Sequence, residues 1–192
     1  SRYDKVGKYS ITPGGLTAEN YDITFEDGEL TVEKKAVTVT IEDKTSMYGK
    51  PEVALTHNGA DVALNGDDLE ITLKRGRDTV KDAGAYVITG TASNENYVVT
   101  FLNGTYTITP FEIEVIWKSG NADDSDFNYT YNAKMQAPKA TFLDWDNNEK
   151  TLTVSGGRTR AGTDFTAEAV LPAPTSNFVF KTGTDVTQLF TI

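Results

Sequence analysis

The chain has no cysteine. Disulfide frameworks, thiolate metal sites and cysteine nucleophiles are therefore excluded. The compartment stays open, because disulfides are permitted rather than required outside the cell. Histidine is nearly absent as well. His57 is the single one, and no Gly-x-Ser-x-Gly elbow supplies a serine, so a Ser-His-Asp triad has no basis. No apolar run approaches the roughly 20 residues that span a bilayer, and no signal peptide is recognisable. The sequence starts mid-pattern, so a segment cut from a longer chain is expected. Positive charge is scarce: the formal net charge is −10 and the pI about 4.6. Such a chain repels phosphate backbones and anionic membrane surfaces. Its densest basic cluster, Lys74 to Arg77, is flanked by Asp67, Asp68, Glu70 and Asp78. It reads as a solvated strand end or turn. Nucleic acid and membrane insertion are thus not expected partners. Glycine-rich loops exist at Pro13-Gly14-Gly15 and Ser155-Gly156-Gly157, but they join strand to strand. A phosphate cradle needs a helix start after the loop.

What is present is repetition. "NYDITFEDGELTV", Asn20 to Val32, returns as "NYVVTFLNGTYTI", Asn96 to Ile108. The lead-in returns too: Gly7-Lys8-Tyr9-Ser10-Ile11-Thr12 matches Gly84-Ala85-Tyr86-Val87-Ile88-Thr89. A worn third copy runs through Ala161–Thr166, Asn177-Phe178 and Leu189–Ile192. In the front half, "AVTVTIED" at 36–43 aligns with "EIEVIWKS" at 112–119. "YGKPEVAL" at 48–55 aligns loosely with "YNAKMQAPKATF" at 131–142. Repetition at this period marks a tandem array. The frame places the back half of one unit at 1–33, a complete unit at 34–110 and a complete divergent unit at 111–192.

Each unit reads as β. Tyr21, Ile23 and Phe25 alternate with polar residues, as do Val37, Val39 and Ile41, and Ile113, Val115 and Trp117 alternate with Glu112, Glu114 and Ile116. A period of two puts one apolar and one polar face on each strand. "EDG" at 26–28 and "LNG" at 102–104 read as hairpin turns. Six strands are expected per unit, near 37–42, 52–57, 69–75, 85–92, 97–102 and 105–109. The fold class is all-β, as tandem small β-sandwich (Ig-like) modules. The alternative is a small β-grasp-like module, its one short helix a turn at Gly66–Leu69. Pro110 lacks an N–H and should end sheet pairing there, with the next strand starting at once.

Taken together, Y-G-x-P at 48–51, A-G-x-Y-x-I-T-G at 83–90 and N-Y-x-V-T-F-x-x-G-x-Y-T-I-T at 96–109 resemble the tandem modules called MBG and YDG repeats. The third unit, with "FNYTYNAKMQAPKATF" and "TLTVSGGRTRAGTDFTAEAVLP", resembles neighbouring Ig-like repeats of the same bacterial surface proteins. The resemblance implies exported, adhesin-like proteins in which such units are strung as stalks. It implies no catalytic residues. The expected place is the bacterial cell surface, the expected state a monomer, and the expected partners neighbouring repeats and a host or environmental glycan or glycoprotein.

Candidate sites cluster in the third unit. "DWDNNE" brings Asp144, Asp146, Asn148 and Glu149 into one loop, and "NADDSD" holds Asp123, Asp124 and Asp126. Oxygen ligands at alternate positions suit Ca²⁺, the one cofactor worth considering, though the central Gly and the Glu at position twelve are missing. Flat aromatics stack on sugar rings. Trp117 keeps the phase of Ile113 and Val115 and reads as core. Trp145 falls outside any strand phase, and with Tyr129 and Tyr131 it forms the candidate ligand-binding set. Three functions follow: a non-enzymatic spacer or adhesion segment, a carbohydrate-binding accessory module of a larger secreted enzyme, or a glycosidase fragment. For the last, no carboxylate pair stands out.

Overall fold

The computed structural model describes residues 5–60, 63–121 and 123–192. Residues 1–4 of the expected first half-unit thus lie outside the described residues. In chain order the strands are β1 (Gly7–Ile11), β2 (Gly28–Val32), β3 (Lys35–Ile41), β4 (Lys44–Met47), β5 (His57–Asn58), β6 (Thr72–Arg75), β7 (Gly84–Thr91), β8 (Tyr97–Leu102), β9 (Gly104–Thr109), β10 (Phe111–Ile113), β11 (Ile116–Lys118), β12 (Lys139–Leu143), β13 (Glu149–Ser155), β14 (Phe165–Val170), β15 (Phe178–Phe180) and β16 (Thr187–Phe190). Helix among the described residues is confined to 3-10 turns such as Leu64–Gly66 and Thr175–Asn177. The fold is all-β. The turn expected at Gly66–Leu69 falls earlier, and Asp67 follows it rather than opening it.

The chain divides into two compact units. The first comprises Ser1–Asp43, Ala54–Gly76 and Val87–Thr105. The second comprises Lys44–Val53, Arg77–Tyr86 and Tyr106–Ile192.

In the first unit, β3 is the organising strand. Val37, Val39 and Ile41 are buried while Thr38 and Thr40 face out, as a period of two requires. β8 runs parallel to it, Lys35 opposite Tyr97 through Thr40 opposite Leu102. Parallel pairing needs a long crossover, and residues 42–96 provide one. Val37, Val39, Leu69 and Tyr97 form the core, with Ile71, Val99 and Phe101 packed against it. The Tyr97 hydroxyl accepts the Leu64 N–H at 2.9 Å and donates to Asp67 Oδ2 at 2.8 Å. Burial first, and then the Asp67 hydrogen bond, raise its pKa.

β1 and β2 pair only with each other, Gly7 opposite Val32 and Ile11 opposite Gly28. The hairpin expected over 20–32 does not form. Residues 21–27 are irregular, and Tyr21, Ile23 and Phe25 point outward, Tyr21 at 80% exposure. Gly28 opens a strand instead of making a turn. At the repeat-equivalent place, Tyr97 is 6% exposed. The difference is the partner: β8 has β3 beside it, and among the described residues no strand pairs with residues 21–26. Arg75 also departs from expectation, being buried at the end of β6 rather than solvated.

In the second unit, β4 runs parallel to β9, and β11-β12-β13-β14-β16 form a five-stranded sheet. β10 pairs parallel with β15. Phe111, Ile113, Ala140, Phe142, Leu152 and Ala169 make the core, with Val115 and Trp117 against it. Pro110 separates β9 from β10, as its missing N–H demands. The strand expected at 52–57 is absent, apart from the short β5 at its end. Pro51 has no N–H, and the Val53 N–H donates to the Tyr106 hydroxyl at 2.7 Å rather than to a ladder.

Candidate functional site

The aromatic expected to be a free contact, Trp145, is occupied. It sits in the turn between β12 and β13. The Asp144 carboxylate shapes that turn by accepting the N–H groups of Asp146 (3.0 Å) and Asn148 (2.9 Å), with Lys150 Nζ at 3.4 Å. Asn147 takes the left-handed conformation a tight turn needs. Burial pushes the Asp144 carboxyl up, but the two N–H donors and Lys150 outweigh it and hold the pKa below the ordinary value.

The turn delivers the indole onto the Tyr48-Gly49-Lys50-Pro51 motif. Gly49 has φ +84°, and a Cβ there would lie 2.4 Å from Trp145 Cδ2, so the ring rests directly on the glycine. Tyr48 and Phe111 meet the ring edge-on at centroid distances of 5.7 and 5.8 Å. Lys50 Nζ donates to the Trp145 carbonyl at 2.8 Å. Tyr48 in turn packs edge-on against Phe178. Trp145 lines two clefts. One, of about 270 Å³, includes Met47, Glu52 and Lys81. The other, of about 610 Å³, includes Glu112, Glu114, Asn147 and Lys181. An ion pair between Lys181 and Glu114 (2.7 Å) crosses the second.

A second contact ties the same regions. Asn177, fully buried, accepts the Ala83 N–H at 2.6 Å on Oδ1 and donates from Nδ2 to Asp82 Oδ1 at 2.7 Å. In the first unit, the repeat-equivalent Asn96 accepts the Val6 N–H at 3.0 Å on its Oδ1. Val6 precedes Gly7 as Ala83 precedes Gly84. Behind each glycine a tyrosine hydroxyl reaches back to a backbone carbonyl at 2.7 Å, Tyr9 to Lys5 and Tyr86 to Asp82. One arrangement is thus built twice: the Asn of an Asn-aromatic pair clasps the loop before the Gly-x-Tyr strand of the preceding sequence copy. Sequence reading took Asn96 and Asn177 as repeat markers only. Their recurrence before an aromatic was the available signal.

The remaining candidates are dispersed. The Tyr129 hydroxyl donates to the Ser119 carbonyl at 3.0 Å, and its ring meets Phe190 edge-on, so it supports a small apolar cluster with Ala167 and Ile192. Burial, and then Asp126, raise its pKa. Tyr131 is exposed and lines neither Trp145 cleft. Glu149 pairs with Lys118 and Asp146 is exposed. Asp123 caps its own loop through Ser125. Among the described residues, no group of three or more His, Asp or Glu side chains is placed to hold a metal ion. His57 sits half-buried in β5 opposite Ile41. No helix among the described residues is long and apolar enough to cross a membrane.

No curated protein matches the chain. The family model described as the MBG domain of YGX type matches residues 2–31 and 37–107. Tyr48-Gly49, the pair against which Trp145 packs, lies within the second matched stretch. With more than half of the chain covered, the protein belongs to the family of YGX-type MBG domains.

Proposed function

We propose that this chain is a non-enzymatic repeat segment of an exported bacterial surface protein, acting as a stalk or adhesion module. Its repeat frame is a half unit at 1–33, then units at 34–110 and 111–192. The observation that carries the reading is the joint between the second and third copies. Trp145 on Gly49, the Lys50–Trp145 hydrogen bond and the Asn177 clasp all connect 44–53 and 77–86 to 111–192. The residues with the most binding potential are thereby engaged in holding copies together, which is what a spacer requires. The working state is a monomer, and the place is outside the cell.

The second reading is a carbohydrate-binding accessory module. The larger Trp145 cleft supports it: its volume falls in the range of small-molecule sites, and it pairs an indole with Glu112, Glu114 and Lys181. Spin labels separate the two readings, because the chain has no cysteine to interfere. Labels at Thr45→Cys and Thr151→Cys, both exposed, should give one narrow distance distribution by pulsed electron resonance. Trp145→Ala and Asn177→Ala should each broaden it. A broad distribution in the parent chain would sink the spacer reading. Retention on a glycan array that disappears in Trp145→Ala would favour the accessory module.

A further inference from the structure

We infer that residues 16–30 form an acceptor for an extended strand of the β3–β4 kind, the front half of another repeat. The internal repeat identifies the occupant, because the complete copy shows what lies beside the equivalent segment. Asn96–Ile108 and Asn20–Val32 correspond residue for residue at a spacing of 76. In the complete copy, β8 lies parallel to β3 and puts Tyr97, Val99 and Phe101 on the Val37-Val39 core. In the half copy, Tyr21, Ile23 and Phe25 are 80%, 36% and 42% exposed, and Leu16 and Ile11 are exposed as well. These six-residue segments carry the same apolar phase, so composition does not account for the difference.

A further position points to the same occupant. A Cβ on Gly104 would lie 2.8 Å from the carbonyl oxygens of Ile41 and Glu42, so this glycine exists to let the end of β3 pass. Among the described residues, a Cβ on its equivalent, Gly28, would have only Ile11 atoms within 4 Å, at 3.7 and 3.9 Å. The seat is present, and among the described residues no strand end fills it. Charge agrees in sign: the acceptor carries Glu19, Asp22, Glu26, Asp27 and Glu29, and the segment 34–47 sets Lys34, Lys35 and Lys44 against Glu42 and Asp43, a surplus of one positive charge.

The register follows from the complete copy. Lys35 of the incoming strand should lie opposite Tyr21, and Thr40 opposite Glu26, parallel. Lys44–Met47 should then run beside β2, as β4 runs beside β9. Such strand addition supplies main-chain hydrogen bonds and buries alternate side chains. It rests on the repeat, and holds whether or not the copies serve as spacers.

The test adds a synthetic peptide of sequence 34–47 to the full chain and follows amide hydrogen exchange. The N–H groups of residues 21–27 should slow by about tenfold or more, while β8 keeps its own rate. A peptide with aspartate at the positions of Val37 and Val39 should give no protection. Gly28→Val should abolish protection, since its side chain would occupy the seat of the incoming carbonyls. It should leave the β1–β2 pairing intact, because the nearest atoms to the new Cβ are at ordinary contact distance. Absent protection at saturating peptide would overturn the inference. So would protection that survives Gly28→Val, protection that appears at 97–102 instead, or a chain that dimerises through 21–27 without peptide, which would assign the face to a second copy.

Discussion

At the scale of the residue, two glycines isolate what the Tyr48-Gly49 pair contributes. Gly49 and Gly183 both have φ +84°, and both lie in the second unit. An alanine at either must hold a left-handed backbone, costing roughly 1–3 kcal/mol. Only at Gly49 does the new Cβ also meet a ring, at 2.4 Å; at Gly183 nothing lies within 4 Å. Gly49→Ala should therefore lower the melting temperature more than Gly183→Ala. It should also shift tryptophan emission to the red as Trp145 is lifted into water, while Gly183→Ala leaves the emission unchanged. Equal losses with unchanged emission in both would mean that the indole yields freely and does not rest on the glycine. Asn177 is the polar counterpart. Removing its amide takes the acceptor from the part-buried Ala83 N–H, a loss at the lower end of about 1–3 kcal/mol.

At the scale of the element, the Asp144–Asn148 turn aims the indole, and its stability follows the charge on Asp144. That carboxyl is held below the ordinary aspartate value by the Asn148 and Asp146 N–H groups and Lys150, against the opposing push of burial. A depressed acid contributes stability that is fully present above its unfolded pKa, about 3.9, and is lost as pH falls through the folded value. Asp144→Asn should thus melt below the parent at neutral pH, and the gap should close as pH falls from about 4 downward. A gap that stays constant down to the acid limit would show that charge plays no part in the turn. The elements legible in the sequence were those whose burial alternates locally: β3, β8, β9, and the break at Pro110. Others depended on partners far along the chain. Val53 loses its ladder to the Tyr106 hydroxyl, 53 positions away. Trp145 reads as a free aromatic until Lys50 and Gly49, 95 and 96 positions away, are placed under it. Tyr21, Ile23 and Phe25 have the period of a buried strand but, among the described residues, no parallel neighbour. Periodicity states which face a strand would bury, and only tertiary pairing decides whether it does.

At the scale of the molecule, the excess of carboxylates sets how the chain responds to salt. The net charge is −10. Such a surplus disfavours the compact state through self-repulsion. Opposing it are ion pairs such as Lys8–Glu29, Lys81–Glu52 and Lys181–Glu114, whose lysines are all more than half exposed. Exposed pairs of this kind contribute about 0–1 kcal/mol each, and salt weakens them. The two effects predict opposite slopes. Repulsion summed over the whole surface should outweigh a few solvated pairs, so the melting temperature at pH 7 should rise as sodium chloride is added. Most of the rise should be complete by about 0.15 M, where the screening length has fallen to about 8 Å. Saturation at that point separates screening from preferential exclusion of salt, which would keep raising stability at higher concentration. A falling melting temperature would mean that the lysine–glutamate pairs, and not the acidic surplus, govern the chain's electrostatics.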